Sequence, residues 1–580
     1  MERNHKAAAS VAAFAALSLA LTGCGEGEAA ASGLADCETD PVSCNAGERA
    51  DGGDVTWALD GSWTGWNLTM ASDNNAYLNE ALAGMWPYVG QFDPEGQWSY
   101  NDGLYAAEPE LVSEDPVRVR YTLADGASWG DGEPVTARDF RYHWYATSGD
   151  DDLCEACTPA DTAFGGSVAD IEAEGDAVTV TYVDGYANAE WKYTDVLSSP
   201  AHIAEEEGFD WAEDPADMAD SQDWFSANPP TWSTGPYRIT DAEAGDHVIY
   251  EPNPDWAGET EPTLDRLTFK VIDGLDSIVT ELRQGTIDGA SPFSVDVDTI
   301  TQLEMSDEDV SYRIDGGPNW EHLDLNTENE FLSDPDLRTA VLTAVDVENI
   351  ISRTAALVQS DAQAKRNHLF RFDSEYYTDR LAATSQGSGD VDLAVDLLED
   401  ADYGWDSDGA LLTPEGEPVE LDIRYTQSND TRKIISELIQ ANLTELGIEV
   451  DINPIPDADL GPVLFGGEFD LVVFGWSGNP GFVSPANQYW RSDSSSNFGR
   501  LDDPELDRTL AELSGTLDLD EAAALADRAV EQVVEDAYVL PIVDTPVVIM
   551  VSDRLVNVRD NWASQQRAMY NIAEWGVSES

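Results

Sequence analysis

The sequence predicts an α/β fold, and three observations lead to this prediction. First, the second half has the order strand, helix, strand, strand, in Val419–Tyr425, Thr431–Leu446, Ile448–Ile452 and Leu471–Phe474, which is typical of parallel crossover units. Second, 580 residues are enough for several domains with full cores. Third, 42% hydrophobic residues and 18 tryptophans exclude a disordered chain, despite its high charge.

In the first half, short apolar segments alternate with Gly and Asp turns. A strand at Val55–Leu59 opens the folded part. A helix is predicted over Ala137–Tyr145 because Thr136 is a good N-cap residue. The remaining predicted elements are strands at Val117–Leu123, Ala177–Val183, Tyr237–Ile239, His247–Glu251 and Leu267–Ile272, and a helix at Leu275–Gln284 that ends at Gly285.

The second half contains longer amphipathic segments. The helix Thr431–Leu446 ends at Gly447, since glycine readily adopts the left-handed conformation that terminates helices. The other predicted elements are helices at Asp336–Val345 and Val391–Ala401, a helix pair within Asp507–Asp536, and closing strands at Tyr538–Val543 and Val547–Val551.

The chain is very acidic. It has 114 Asp and Glu against 29 Lys and Arg, a formal net charge of −85, and the acids are spread throughout. Such a surface repels itself in dilute buffer, whereas at 1 M salt the Debye length is only about 3 Å. We therefore expect a protein adapted to salty surroundings that binds neither nucleic acid nor anionic lipid through this surface.

The N-terminus has the features of a lipoprotein leader. Leu21–Cys24 follows a short apolar run, Ala7–Ala20, which is too short to span a bilayer. The pattern predicts removal of residues 1–23, lipidation of Cys24 and a tether over residues 24–53. The alternative is an ordinary secretory leader with a chance cysteine. Either way, the chain is exported, and the lipidated form lies on the outer face of the cell membrane.

The other four cysteines form two local pairs, Cys37 with Cys44 and Cys154 with Cys157. An oxidising exterior favours disulfides in both. The second pair could instead be a redox motif or half of a zinc site. However, it lies in the loop 148–162 rather than at a helix start, and no other His or Cys is near it in the sequence. The sequence therefore predicts structural disulfides and neither a metal nor a cofactor.

A series of short motifs runs collinearly along almost the whole mature chain. The motifs are Trp129–Phe140, Thr234–Tyr237, Asn253–Trp256, Leu282–Asp288, Leu323–Asn326, Asp336–Arg338, Ile439–Ile448, Phe469–Trp476 and Asn571–Trp575. Together they resemble family 5 of the solute-binding proteins, the peptide, nickel and related receptors of ABC importers.

The resemblance implies a two-lobed periplasmic-binding-protein-like (type II) fold with three domains. Domain I would comprise residues 54–96, 232–318 and 539–580, domain II residues 97–231, and domain III residues 319–538. A ligand would be enclosed between the lobes by hinge closure. The implied partners are an ABC permease and separate ATPase subunits, and a monomer is expected. The sequence has no phosphate-binding loop of its own.

The sequence departs from the family pattern at the ligand termini. Dipeptide and oligopeptide receptors have an Asp for the ligand ammonium where this chain has Trp476-Ser-Gly-Asn479. The loop Thr426–Asp430 lacks the Arg that dipeptide receptors use for the carboxylate, and the first Arg is Arg432. Since a buried charge needs a partner, dipeptides held by both ends are disfavoured. Longer peptides, blocked peptides or an uncharged solute such as an oligosaccharide fit better.

Several polar and aromatic residues are candidates for ligand binding. Asn479 can hydrogen-bond an amine or a hydroxyl, or can simply be a turn residue beside Pro480. Large aromatics at element ends can contact ligand or can belong to the core. The candidate set is Trp63, Trp320, Gln427, Trp476, Asn479, Tyr489 and Asn497.

The leading functional hypothesis is an oligopeptide receptor that is not an enzyme. A secreted halophilic hydrolase is the alternative from another class. The G-x-S-x-G match at Gly126–Gly130 lacks the following helix, and the six histidines are scattered. A receptor that signals without transporting is a third alternative. Residues 406–415 partly imitate a calcium loop, but its first position is Gly404, which has no side-chain ligand.

Overall fold

The structure is a computed structural model that describes residues 33–305, 309–456 and 459–579. The predicted lipidation site, Cys24, lies outside these residues. Across the described ranges, no helix has the length and apolar character that a membrane crossing requires.

Twenty strands are present in the described ranges. Numbered along the chain, they are β1 (Asp54–Leu59), β2 (Gly90–Phe92), β3 (Trp98–Tyr100), β4 (Glu110–Glu114), β5 (Val117–Thr122), β6 (Val168–Glu174), β7 (Ala177–Tyr182), β8 (Tyr237–Glu243), β9 (His247–Pro252), β10 (Arg266–Val271), β11 (Gly289–Ala290), β12 (Val310–Leu325), β13 (Gly404–Trp405), β14 (Leu411–Leu412), β15 (Glu420–Thr426), β16 (Glu449–Ile455), β17 (Leu471–Ser477), β18 (Val539–Ser552), β19 (Leu555–Val556) and β20 (Gly576–Val577).

The same ranges contain fourteen α-helices. They are α1 (Ala76–Leu82), α2 (Ala137–Thr147), α3 (Ala201–Glu206), α4 (Pro215–Ala227), α5 (Leu275–Arg283), α6 (Val297–Glu304), α7 (Pro335–Ala344), α8 (Val347–Arg353), α9 (Val391–Asp400), α10 (Asp430–Glu445), α11 (Leu460–Gly466), α12 (Val483–Trp490), α13 (Pro504–Leu513) and α14 (Leu519–Asp536).

One large mixed sheet organises the molecule, in the order β16-β15-β17-β12-β18-β11-β1-β10-β9-β8. β15 pairs in parallel with β16, and α10 connects them. β1 likewise pairs in parallel with β10 and β11. These units confirm the predicted α/β class. A separate sheet, β4-β5-β7-β6, packs with α2, whose start is capped by Thr136 and Asp139.

Several short strands were not predicted, and the two longest strands, β12 and β18, also differ from the sequence prediction. The segments predicted as Tyr538–Val543 and Val547–Val551 form the single strand β18, and β12 was not predicted. In β18 the hydrophobic pattern is interrupted by Asp544-Thr545-Pro546, and in β12 by Gly316-Gly317-Pro318-Asn319. The register between the two strands shifts between Gly316 and Trp320. This irregularity is a bulge, which bends a strand locally.

Two large hydrophobic cores lie on either side of this bulge. The first contains Trp57, Tyr237 and Trp575, and we call the part around it lobe one (33–305 and 546–579). The second contains Leu323 and Leu540, and we call the part around it lobe two (319–545). Only β12 and β18 carry the described chain from one lobe to the other. The three predicted domain boundaries stay a prediction.

Two disulfides lie in lobe one. Cys37 is bonded to Cys44 across a Cα–Cα distance of 4.9 Å. Cys154 is bonded to Cys157 across 5.6 Å, in the loop that follows α2. Each closes a short local loop.

Candidate functional site

A cavity of about 70 Å³ lies between the two lobes, next to the bulge. Lobe one contributes one set of aromatic side chains and lobe two another. The principal lining residues are Phe92, Tyr193 and Trp562 from lobe one, and Arg371, Asn479 and Phe482 from lobe two. Because both lobes form its walls, any bending at the bulge changes its size.

A larger cleft, of about 270 Å³, is formed by lobe one alone. Trp86, Tyr100 and Trp256 are among its walls. Hinge bending would leave it unchanged, since no residue of lobe two lines it. The cavity between the lobes is therefore the candidate site.

Arg371 connects the cavity with the bulge and with both lobes. Its Nη1 donates to the carbonyl oxygens of Gly316 at 2.6 Å and Gly317 at 3.4 Å. Its guanidinium carbon lies 4.6 Å from the ring centroid of Trp562 in lobe one. Its Nε also pairs with Asp373 at 3.2 Å. Among the described residues that line the cavity, Arg371 is the one cation.

Asn479 is the one predicted ligand residue that lines this cavity, judged over the described residues. Its Oδ1 accepts a hydrogen bond from the backbone N–H of Gly481 at 2.7 Å. This is the turn role that the sequence offered as the alternative. The Nδ2 group has no such bond within the turn and is left for another acceptor.

Trp320, Trp476 and Tyr489 are brought together in lobe two. Trp476 on β17 pairs with Trp320 on β12. The Trp476 ring stacks on Tyr489 at 4.4 Å and on Phe498 at 5.3 Å. Trp320 is only 4% exposed, and the ammonium of Lys365 lies 5.3 Å from its ring. These three residues form an aromatic cluster beside the cavity rather than part of its described lining.

The other three candidates are held by structural contacts. Trp63 is 2% exposed in the first core and meets Trp66 edge to face at 5.6 Å. Asn497 is buried, and its Nδ2 donates to the carbonyl of Leu501 at 2.9 Å. Gln427 is exposed and continues the strand ladder by donating its backbone N–H to Ile455. The structure does not bring these residues to the cavity.

The basic residues of lobe two near the cluster have acidic partners. Arg432, the first Arg after the loop 426–430, pairs with the buried carboxylate of Glu321 at 2.8 Å. Lys365 pairs with Asp544 at 2.9 Å. These two cations therefore neutralise protein carboxylates, which is what burial of a carboxylate requires.

Sequence reasoning missed Arg371, Tyr193 and Trp562. Arg371 did carry a signal, because it lies between Phe370 and Phe372 in a chain with only 29 Lys and Arg. A basic residue flanked by aromatics is unusual in such an acidic sequence. Trp562 gave no comparable signal, because its role depends on a residue almost two hundred positions earlier.

Comparisons with known proteins agree on one family. The model of the bacterial extracellular solute-binding proteins, family 5, middle region, matches residues 99–499. The oligopeptide-binding protein OppA of Mycobacterium tuberculosis is 26% identical over 517 residues, covering 87% of this chain and 82% of the relative.

Two solved structures are also similar. The periplasmic EDTA-binding protein EppA superimposes with a TM-score of 0.82 and 29% identity, covering 93% of this chain and 99% of that one. The oligopeptide-binding protein AppA of Bacillus subtilis, solved with a nonapeptide, has a TM-score of 0.68 and 19% identity, with 92% and 100% coverage. The AppA likeness is one of fold.

Proposed function

Because the chain belongs to family 5 of the bacterial extracellular solute-binding proteins, we propose that it captures oligopeptides between its lobes and delivers them to an ABC permease. The observation that carries this proposal is the cavity lined by both lobes beside the β12–β18 bulge. Its volume of about 70 Å³ is far below the roughly 300–1,000 Å³ of ligand pockets. Capture therefore requires the lobes to separate and then close.

Oligopeptides are the proposed ligand class because curated relatives such as OppA are named for binding them. An extended peptide held by main-chain hydrogen bonds needs few charged anchors. This suits a cavity whose sixteen lining residues include six aromatic side chains and the uncharged amide of Asn479. The charged termini of the peptide would then contribute less to the binding free energy than its backbone hydrogen bonds.

The test is native mass spectrometry of the fragment after Cys24, purified from its own producer in concentrated salt. We expect a series of masses that differ by amino-acid residues. Tandem fragmentation would show whether the peptide termini are free or blocked. A single sugar or other uncharged mass would contradict the peptide proposal and support the alternative of an uncharged solute.

A small polycarboxylate is a second candidate ligand. It is favoured by the likeness to a structure titled as EDTA-binding at 29% identity. Arg371 would be its partner in a lining that also contains Glu95 and Glu375. The two candidates separate cleanly in titration calorimetry. EDTA would bind tightly and a peptide library weakly if the polycarboxylate is correct.

We also propose that the aromatic cluster of Trp320, Trp476 and Tyr489 contacts ligand when the lobes are apart. Trp476→Ala is expected to weaken binding by about five- to tenfold, the equivalent of a lost aromatic contact. The thermal midpoint in concentrated salt should fall by only a few degrees, because Trp476 is only partly buried. Calorimetric titration and a thermal scan measure the two effects. A large loss of stability with unchanged affinity would make Trp476 a packing residue.

As a member of an extracellular family, the chain works outside the cytoplasm. We propose that acyl chains on Cys24 hold it at the membrane surface, where the permease and ATPase subunits lie, and that it acts as a monomer. The leader pattern Leu21–Cys24 supports the anchor. The net charge of −85 supports a working environment of concentrated salt.

A further inference from the structure

Helix α12 begins without a cap of its own. Its N-cap residue is Phe482, whose side chain cannot accept a hydrogen bond, and no side-chain cap bond is made locally. The first backbone N–H groups of any helix need acceptors from elsewhere. The neighbouring helix α13 solves this in the usual way, because Asp503 accepts from the N–H groups of Glu505 and Leu506.

The missing acceptor comes from the opposite lobe. Glu190 of lobe one accepts from the backbone N–H of Phe482 at 2.5 Å and of Val483 at 3.2 Å. The preceding residue, Ala189, is 4% exposed and belongs to the core of lobe two. Residues 189 and 190 thus insert into lobe two when the lobes are together.

Electrostatics favour this contact. The start of a helix carries partial positive charge, which attracts a carboxylate. Burial between the lobes raises the pKa of Glu190, and the backbone N–H groups of Phe482, Val483 and Ser484 oppose that rise. The N–H groups therefore stabilise the charge where the surroundings disfavour it.

The contact lies at the candidate site. Phe482, at the start of α12, lines the cavity together with Asn479 and Pro480. Near the other end of the helix, Tyr489 stacks on Trp476 at 4.4 Å. Anything that orders the start of α12 therefore orders both the cavity wall and the aromatic cluster.

We propose that Glu190 is a positioning residue for solute capture, a latch that caps α12 across the lobe interface only when the lobes are closed. This rests on the proposed capture of a solute by lobe closure, but not on the identity of the solute. Separation of the lobes removes the cap, so the latch stabilises the closed arrangement selectively.

The test compares three variants of the full protein freed of ligand. Spin labels at Asp241 in lobe one and Asp493 in lobe two, whose side chains are 71% and 74% exposed, report the distance between lobes. Hydrogen exchange over residues 480–486 reports the cap. Glu190→Ala should shift the distances towards the open arrangement and speed exchange about tenfold, in line with the loss of an N-cap. Glu190→Gln keeps an acceptor oxygen and should restore most of both.

Asp503→Ala is the matched control, because it removes a carboxylate cap that lies within lobe two. It should lower the thermal midpoint and leave the distance between lobes unchanged. Glu190→Ala, in contrast, should change that distance. Unchanged distances in Glu190→Ala, or free exchange of 480–486 in the wild type, would overturn the latch. Failure of every peptide to bind, with the latch responses intact, would instead overturn the peptide proposal alone.

Discussion

Replacement of Arg567 by methionine is expected to lower the free energy of unfolding by about 3–5 kcal/mol, the usual result of breaking a buried ion pair from one side. The Arg567 side chain is 0% exposed, and its Nε bonds Asp560 at 2.8 Å. Glu80, 1% exposed, and Asp60 lie in the same charge cluster. Burial raises the pKa of both carboxyls, and Arg567 opposes the rise. Without Arg567, the carboxyl groups of Asp60, Glu80 and Asp560 would lie close together and lose the positive charge that this residue supplies.

Chemical denaturation in concentrated salt measures this loss. Arg528→Met is the matched control, because Arg528 pairs with Glu512 at 2.7 Å while both side chains are about half exposed. Surface pairs of this kind contribute about 0–1 kcal/mol, so the control should scarcely change the midpoint. Equal, small losses in both variants would mean that Arg567 does not stabilise the fold through its charge.

The stability of the protein should fall as pH rises from about 4 to about 7, in part because of Asp195. Burial raises the pKa of this carboxyl to about 7, although the N–H of Val89 donates to it at 2.8 Å. An unfolded Asp titrates near 3.9. Between these values the folded protein holds a proton that the unfolded chain has released. The contribution is therefore complete below about pH 4 and lost above about pH 7, and it amounts to about 4 kcal/mol.

Asp195→Asn separates this effect from the general repulsion of the acidic surface, which both proteins share. Asparagine keeps an acceptor for Val89 but cannot ionise. The variant should gain about 3 kcal/mol relative to wild type between pH 5 and pH 8, measured by denaturation at each pH. A difference between the two proteins that stays constant with pH would refute the assignment.

The sequence predicted those elements whose local signals agree with one another. The helix α2 was predictable because Thr136 marks its start, and the crossover unit of β15, α10 and β16 because its strand and helix patterns differ clearly. β12 and β18 were not predictable as continuous strands, since Gly316–Asn319 and Asp544–Pro546 look like turns. They are the bulge between the lobes, and local rules commonly fail at functional positions.

The candidate site was less predictable than the fold. Asn479 was found because a family landmark precedes it. Trp63 could not be told from a ligand contact, since large aromatics serve cores and ligand sites equally well. Glu190 and Arg371 contact residues roughly two hundred or more positions away, Phe482 and Trp562 respectively. Such pairs depend on tertiary arrangement, which single-sequence patterns do not contain.

The β12–β18 connection also determines the mechanics of the protein. Two hydrogen-bonded strands form a ribbon that resists stretching along its length and shear within its plane, but bends easily across its thin direction. Two register shifts lie close together in this ribbon, between Gly316 and Trp320 and between Glu321 and His322. Bending between the lobes is therefore expected to concentrate in this short segment of the ribbon, because a bulge disrupts the ladder and bends the strand there. A membrane partner that contacts both lobes would then sense their closure through the angle between them.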